Sequence, residues 1–298
     1  MSEPIWTPAG ASQGTPGKMN NIDEATARAF DDKWGASYGG TANPERTREV
    51  FDAYFSMFPF EELVEAEGFE LGCGNGRHAA IISKLVGRLH CIDPSPNGLA
   101  VARARMPGRR HVEYHLADVD NIPLPDDSQD FGYSMGVLHH IPDTEAALAS
   151  CVAKLKPGAP FLLYLYYDFE NRPLWFRAIW RTSDIGRRFI SNLPFRVRKA
   201  ACDAIAITVY WPLARTSGLL ARAGFDVEGL PLSSYRTARL GNMRMAALDR
   251  LGTRLEQRFS RASIIGMMER CGLTNIRTKG PPYWVAIGWK ADIRSRTS

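Results

Sequence analysis

The segment Glu70-Leu71-Gly72-Cys73-Gly74-Asn75-Gly76 carries the strongest chemical signal in the chain. Glycines at alternate positions let the main chain take angles closed to other residues and leave bare backbone for a ligand to rest on. The dinucleotide fingerprint GxGxxG needs glycine where Arg77 stands, and the phosphate loop GxxxxGK[ST] is not matched, so the turn is not built for a pyrophosphate. An acidic residue beside it suits a cationic ligand, because opposite charges attract strongly at short range. Asp93 follows Gly74 by nineteen residues, about the separation at which a carboxylate accepts the hydroxyls of a ribose. Asp118, after the next apolar segment, could accept an amino group of a base. Each acid alone could be a helix cap or a turn residue. Together, at the tips of three successive predicted strands, they outline a nucleoside site.

His139 and His140 follow a fourth predicted strand. Histidine titrates near neutral pH, so either could take a proton from an acceptor, with His139 the favoured base. The alternative is that one packs against the sheet and the other binds backbone. His111 and His115 fall four apart on a predicted strand rather than a helix, and no third ligand is evident, so no metal site is expected. His78 and His90 read as ordinary packing residues. The five cysteines are scattered, odd in number and without a CxxC pair. They read as reduced, buried thiols in a cytoplasmic protein.

The elements that must hold these residues can be read from periodicity. Gly68–Leu71, Leu89–Ile92, His111–Leu116, Phe131–Val137 and Phe161–Tyr167 are predicted strands. Between them lie predicted helices over Arg77–Val86, Pro96–Arg105 and a segment capped by Asp143 that stops at Pro157-Gly158. Such alternation implies right-handed crossovers and a parallel sheet with helices on both faces. Thr274–Thr278 and Tyr283–Lys290 flank Gly280-Pro281-Pro282 and should pair antiparallel at the sheet edge, after a helix ending at Cys271-Gly272. Before the core, Phe30, Trp34 and Tyr38 share one helical face, Gly39-Gly40 breaks the chain, and Pro44 opens a second helix. Glu65 and Glu67 shorten the first strand.

These residues resemble the class I S-adenosylmethionine-dependent methyltransferases, small-molecule type. The resemblance rests on Glu70–Gly76, Asp93, Asp118, the segment Asp130–His140 and Leu155-Lys156-Pro157-Gly158. It covers roughly Gly68–Leu165 and returns weakly over Ala262–Lys290. It implies a doubly wound, mostly parallel, seven-stranded Rossmann-like α/β sheet, with a mainly helical cap inserted after the fifth strand. It also implies S-adenosyl-L-methionine as cofactor. Glu70, Gly72, Gly74 and Gly76 would line its methionine end, Asp93 with Pro94 its ribose, and Asp118 with Val119 its adenine. Met135 and Gly136 would lie near the sulfonium, and Trp34 and Tyr38 would belong to a lid.

Five segments follow: a mobile tail (1–20), lid helices (21–66), the cofactor-binding core (67–165), a basic cap (166–255) and a closing helix with two strands (256–298). Within the 298 residues, Tyr166–Arg261 holds seventeen Lys/Arg against eight Asp/Glu, whereas the rest of the chain is mildly acidic. The insert leaves the fifth strand at the end that faces the site, so Tyr166, Tyr167, Arg172 and Arg236 are candidate acceptor-binding residues, with Arg177, Arg181 and Arg244 beside them. An anionic or phosphorylated small molecule is the expected acceptor, and a solvated basic face is the plain alternative. Nucleic acid is not expected, for want of a binding module. A membrane-surface helix over Phe195–Arg215 is the weaker possibility. No apolar run reaches the roughly 20 residues of a bilayer span, and no signal peptide is read, which points to the cytoplasm. A nicotinamide-dependent oxidoreductase and a non-catalytic cofactor-binding regulator are the competing functions.

Overall fold

The structure is a computed structural model and describes residues 20–35, 44–169, 174–227, 229–280 and 284–292. The tail, Tyr38, Gly39-Gly40 and Arg172 lie outside the described residues. The chain opens with α1 (Glu24–Gly35) and α2 (Pro44–Phe55). The core then runs β1 (Glu67–Leu71), α3 (Ala79–Ile82), β2 (Arg88–Asp93), α4 (Pro96–Arg105), β3 (Val112–Leu116), β4 (Phe131–Met135), α5 (Thr144–Lys154) and β5 (Pro160–Tyr164). A helical insert follows: α6 (Leu174–Ser191), α7 (Phe195–Ile205), a π-helical turn (Ala206–Tyr210), α8 (Trp211–Arg222) and α9 (Leu240–Leu251). The chain closes with α10 (Arg261–Arg270), β6 (Leu273–Lys279) and β7 (Val285–Lys290).

Local chemistry sets several of these boundaries. Ser95 caps α4 by accepting Gly98 N–H at 2.8 Å, and Pro96 sits at the first helical position, where no amide donor is needed. Asp143 caps α5 through Ala146 N–H at 2.9 Å, as expected from the sequence. The helix expected over Arg77–Val86 shrinks to the four residues of α3. Arg109 donates to Ala80 O at 2.8 Å and the His111 ring meets Ser83 O at 2.6 Å, so side chains hold carbonyls that a longer helix would use. At the start of β1 the Glu67 side chain binds the His90 ring at 2.8 Å, which explains an acid in a strand.

The seven strands order as β3-β2-β1-β4-β5-β7-β6. β1 to β5 pair parallel, and β7 runs antiparallel to both β5 and β6. The antiparallel strand is therefore internal, not at the edge as expected. The expected fifth strand also ends early, at Tyr164. Beyond it the backbone partner is the segment before α10, with Phe259 N–H on Tyr166 O at 2.9 Å and Asp168 N–H on Phe259 O at 3.1 Å.

Both faces of the sheet are covered. One core joins Phe51, Phe55 and Phe58 to Ile82, Leu99 and Tyr133; the other joins Leu148, Cys151, Ile264 and Met268 to Phe69 and Phe161. The insert has a separate small core of Cys202, Ala206, Tyr210, Met243, Ala247 and Leu251. Strand order reverses between β1 and β4, so the chain leaves their carboxyl ends in opposite directions and opens a crevice there.

Candidate active site

A cavity of about 330 Å³ occupies that crevice. Its floor is the turn after β1, one wall the tips of β2 and β4, and its roof α1 with Met245 and Asp249 of α9. Gly74 has φ +50°, and a Cβ there would stand 3.1 Å from the Trp34 ring, so only glycine keeps the floor open beneath the roof. Gly72 also lines the cavity, but Gly76 does not. A Cβ on Gly76 would come within 2.8 Å of Ala102 Cβ, so this glycine lets the turn pack on α4 instead.

Glu70, at the tip of β1, is buried and accepts the Tyr133 hydroxyl at 3.1 Å. Burial pushes its carboxyl up to about 8, partly countered by the Tyr133 bond and the charge of Arg77. A buried acid at the cavity wall is suited to a ligand cation, which would favour its charged form. Asp93 holds the floor directly: Oδ2 accepts Gly74 N–H at 2.7 Å and Oδ1 accepts Ser95 N–H at 2.8 Å. Burial raises this carboxyl to about 6 against those two bonds. Asp118 serves as both turn residue and site residue. Its Oδ1 takes Asp120 N–H, Asn121 N–H and the Asn121 amide, while Oδ2 has no partner among the described residues at the cavity. Pro94, Val119, Met135, Gly136 and Trp34 also line the cavity.

The two histidines separate. His139 is fully buried, stacked on Tyr166 with ring centroids 3.9 Å apart, and neither ring nitrogen has a partner among the described residues. Burial drives its pKa well below the usual value. It does not line the cavity, so the preference for His139 as base is corrected. His140 does line it, and its Nδ1 contacts Leu255 O at 2.7 Å. A carbonyl can only accept, so Nδ1 carries the proton and Nε2 keeps its lone pair. Burial lowers the His140 pKa to about 4, opposed by the Leu255 bond, so the ring is neutral at ordinary pH.

Among the proposed acceptor residues, Tyr166 lines the cavity and Tyr167 and Arg236 do not. Tyr167 packs near Trp284 and Phe169, and Arg236 donates to Ser233 O at 3.2 Å. Arg244 pairs with Asp203 at 2.6 Å, Arg181 is exposed, and the Arg177 side chain lies outside the described residues.

Sequence reasoning missed the fastenings of the roof. Buried Lys33 pairs with Asp249, joining α1 to α9 across the cavity, and its ammonium lies 4.3 Å from the Trp34 ring centroid. Asp31 takes the Ser95 hydroxyl at 2.6 Å and Asn97 N–H at 3.0 Å, fixing α1 beside Asp93. Lys33 and Asp249 are 216 residues apart, so no spacing could reveal their pairing.

The histidines do bring together a third possible metal ligand, contrary to expectation. His111 lies apart, but His90, Glu113 and His115 bring three ligand atoms within 4.8 Å of one another. His90 Nε2 meets Glu67 Oε1 at 2.8 Å and His90 Nδ1 meets His115 Nε2 at 3.0 Å. With Nε2–H on both rings this is a complete hydrogen-bond chain, which needs no ion to satisfy it.

Fold and site together define a nucleoside-binding α/β domain that favours a cationic ligand. The methyltransferase domain family matches residues 69–163. Malonyl-[acyl-carrier protein] O-methyltransferase of Serratia marcescens is 28% identical over 181 residues, 61% of this chain and 67% of that protein. Ubiquinone biosynthesis O-methyltransferase of Xanthomonas euvesicatoria pv. vesicatoria is 30% identical over 184 residues, 61% of this chain and 73% of that protein. A solved S-adenosylmethionine-dependent methyltransferase from Mesorhizobium loti superposes with TM-score 0.47 at 16% identity, covering 80% of this chain and 98% of that one. The chain belongs to the class I S-adenosylmethionine-dependent methyltransferases, and S-adenosylmethionine is its cofactor. Buried Glu70, the bare backbone at Gly74 and the open Asp118 oxygen fit that ligand. The nicotinamide alternative falls away.

Proposed function

We propose that the protein methylates a small anionic or phosphorylated acceptor in a cytoplasmic biosynthetic reaction, with His140 receiving the acceptor's proton. The observation that carries the base assignment is the His140–Leu255 contact, which fixes the tautomer that leaves Nε2 free at the cavity. S-adenosylmethionine supplies a methyl group on a positively charged sulfur, so the protein has mainly to align and to exclude water. Glu70 would hold the ammonium end, Asp93 the ribose, and Asp118 with Val119 the base. Phe30, Trp34 and the Lys33–Asp249 pair close the roof. Positioning of this kind can contribute about 7–11 kcal/mol in favourable cases. Tyr164 and Tyr166 line the acceptor side, next to Met135 and Gly136.

The anionic acceptor is supported by exposed Arg77 at the cavity wall; among the described residues the basic side chains of Tyr166–Arg261 do not line the cavity. One relative is named for a malonyl group on a carrier protein and another for ubiquinone biosynthesis, so kinship alone leaves the acceptor open. In this reading the lid and the basic insert cover cofactor and acceptor respectively. The test is release of S-adenosylhomocysteine with matched carboxylate, phosphate and neutral acceptors. Turnover of neutral compounds alone would reject the anionic reading. Lack of turnover with every extract, despite cofactor binding, would favour a regulator.

A further inference from the structure

The cap presents an unusual outer surface. Of the large apolar side chains exposed among the described residues, all but Val64 and Leu116 lie between Leu174 and Leu230. Ile185 and Phe189 on α6 are 72% and 73% exposed, and Ile207, Trp211 and Leu219 are exposed along the continuous helix that joins α7 to α8. Monomeric soluble proteins rarely leave so many large apolar groups together in water.

The exposed charges described on the three helices of this surface have one sign. The exposed charged side chains described on α6, α7 and α8 are Arg181, Arg188, Arg196 and Arg222. The two acids of these helices are drawn inward and paired: Asp184 with Arg187 and Arg188, Asp203 with Lys199 and Arg244. From Ala204 to Ala214 the helix carries no charge at all. Eleven residues give about 16 Å of helix, roughly half the thickness of a bilayer's hydrocarbon core. Such a segment can lie along the face of one leaflet with its inner side still packed on α9, and no helix described is long and apolar enough to cross. A second copy fits less well. Symmetric pairing would set this face against itself and bring arginines together, with no exposed acid described on these three helices to meet them.

We infer that helices α6 to α8 form a peripheral docking surface for an anionic lipid bilayer. Apolar side chains would enter the headgroup–acyl boundary, Trp175 and Trp211 would sit at headgroup depth, and the arginines would meet lipid phosphates. The surface is close to the chemistry. α7 and the π-helical turn pack on α9 through Cys202, Ala206 and Ala247, and α9 supplies Met245 and Asp249 to the cavity. One helix layer, about 8–10 Å between axes, separates lipid from site. The inference does not depend on which acceptor is methylated.

Flotation of the full chain with vesicles tests it, using phosphatidylcholine alone and phosphatidylcholine mixed with phosphatidylglycerol. The expected result is at least about tenfold stronger partitioning to the anionic vesicles, weakened near 0.5 M salt. The pair Ile207→Glu with Trp211→Glu, and separately Arg188→Glu with Arg196→Glu, should each lower partitioning by about tenfold or more while S-adenosylhomocysteine binding is unchanged. Retained cofactor-product binding shows that the variants are folded. Equal neglect of both vesicle types overturns the inference, as does vesicle binding indifferent to both pairs. A dimer in light scattering that the same substitutions dissolve, without vesicle binding, would assign the face to a second copy instead.

Discussion

Asp93 does two jobs with one carboxylate. It ties down the glycine turn through Gly74, and in the proposed site it would also accept the hydroxyls of a ligand sugar. Hydrogen bonds to a charged group contribute about 1.5–3 kcal/mol each, so loss of two ribose contacts should weaken cofactor binding by at least about 100-fold. Calorimetry on Asp93→Ala measures this, and Asp93→Asn should recover part of the loss; an unchanged affinity would remove Asp93 from the site. At His140 the expected signature is a pH profile. A histidine held near 4 is already neutral at pH 6, so the rate should show no inflection near 6.5 and fall only as pH drops toward 4. His140→Ala should cost about 10²–10⁴ in kcat with cofactor affinity kept. His139→Ala should mainly lower stability, since that ring fills space under Tyr166. The sequence made both histidines visible but not their difference, because which ring meets the cavity depends on Leu255 and Tyr166, both far away in the chain.

At the scale of elements, α1 is the part most worth disturbing. Its link to α9 rests on Lys33 and Asp249, and breaking a buried pair one side at a time leaves an uncompensated charge. Lys33→Met and Asp249→Asn should each weaken cofactor binding by several-fold and be non-additive in combination. A double-mutant cycle should give a coupling of about 0.5–3 kcal/mol, and strict additivity would mean that the clasp does not act as a unit. Elements governed by local pattern were legible: the strands of the core, the cap at Asp143, and the glycine turn. Elements decided by distant partners were not. α3 is cut short by Arg109 and His111 from the far side of α4, and β7 inserts between β5 and β6 through pairing that periodicity does not encode.

For the whole molecule, the buried ionisable groups set a pH dependence of stability whose sign can be worked out. Glu70 near 8 and Asp93 near 6 sit above ordinary carboxyl values, so the native state holds protons that the unfolded chain releases. That contribution is complete below about pH 4 and is lost as pH rises through the folded values. His139 and His140 are lowered and act oppositely, but only below their ordinary value of 6.5. Above pH 6.5 Glu70 is left to dominate, so the ligand-free protein should lose about 2 kcal/mol between pH 6.5 and 8.5. Thermal unfolding by circular dichroism checks this, and Glu70→Gln should flatten the slope. The basic character of the insert against a mildly acidic core is legible in the sequence. A membrane-surface helix over Phe195–Arg215 is readable there as the weaker possibility, but the exposed apolar groups of α6 are not, because a sequence does not say which side of an amphipathic helix finds a neighbour.

Helix α1 is anchored at two neighbouring points, Asp31 to Ser95 beside the proposed ribose site and Lys33 to Asp249 of α9, above the proposed acceptor site. Whatever steadies one anchorage steadies the other, so occupancy of either half should raise the affinity of its counterpart by an equal factor. Nucleoside and acceptor would then bind synergistically whichever arrives first, and departure of either product would loosen the hold on the other.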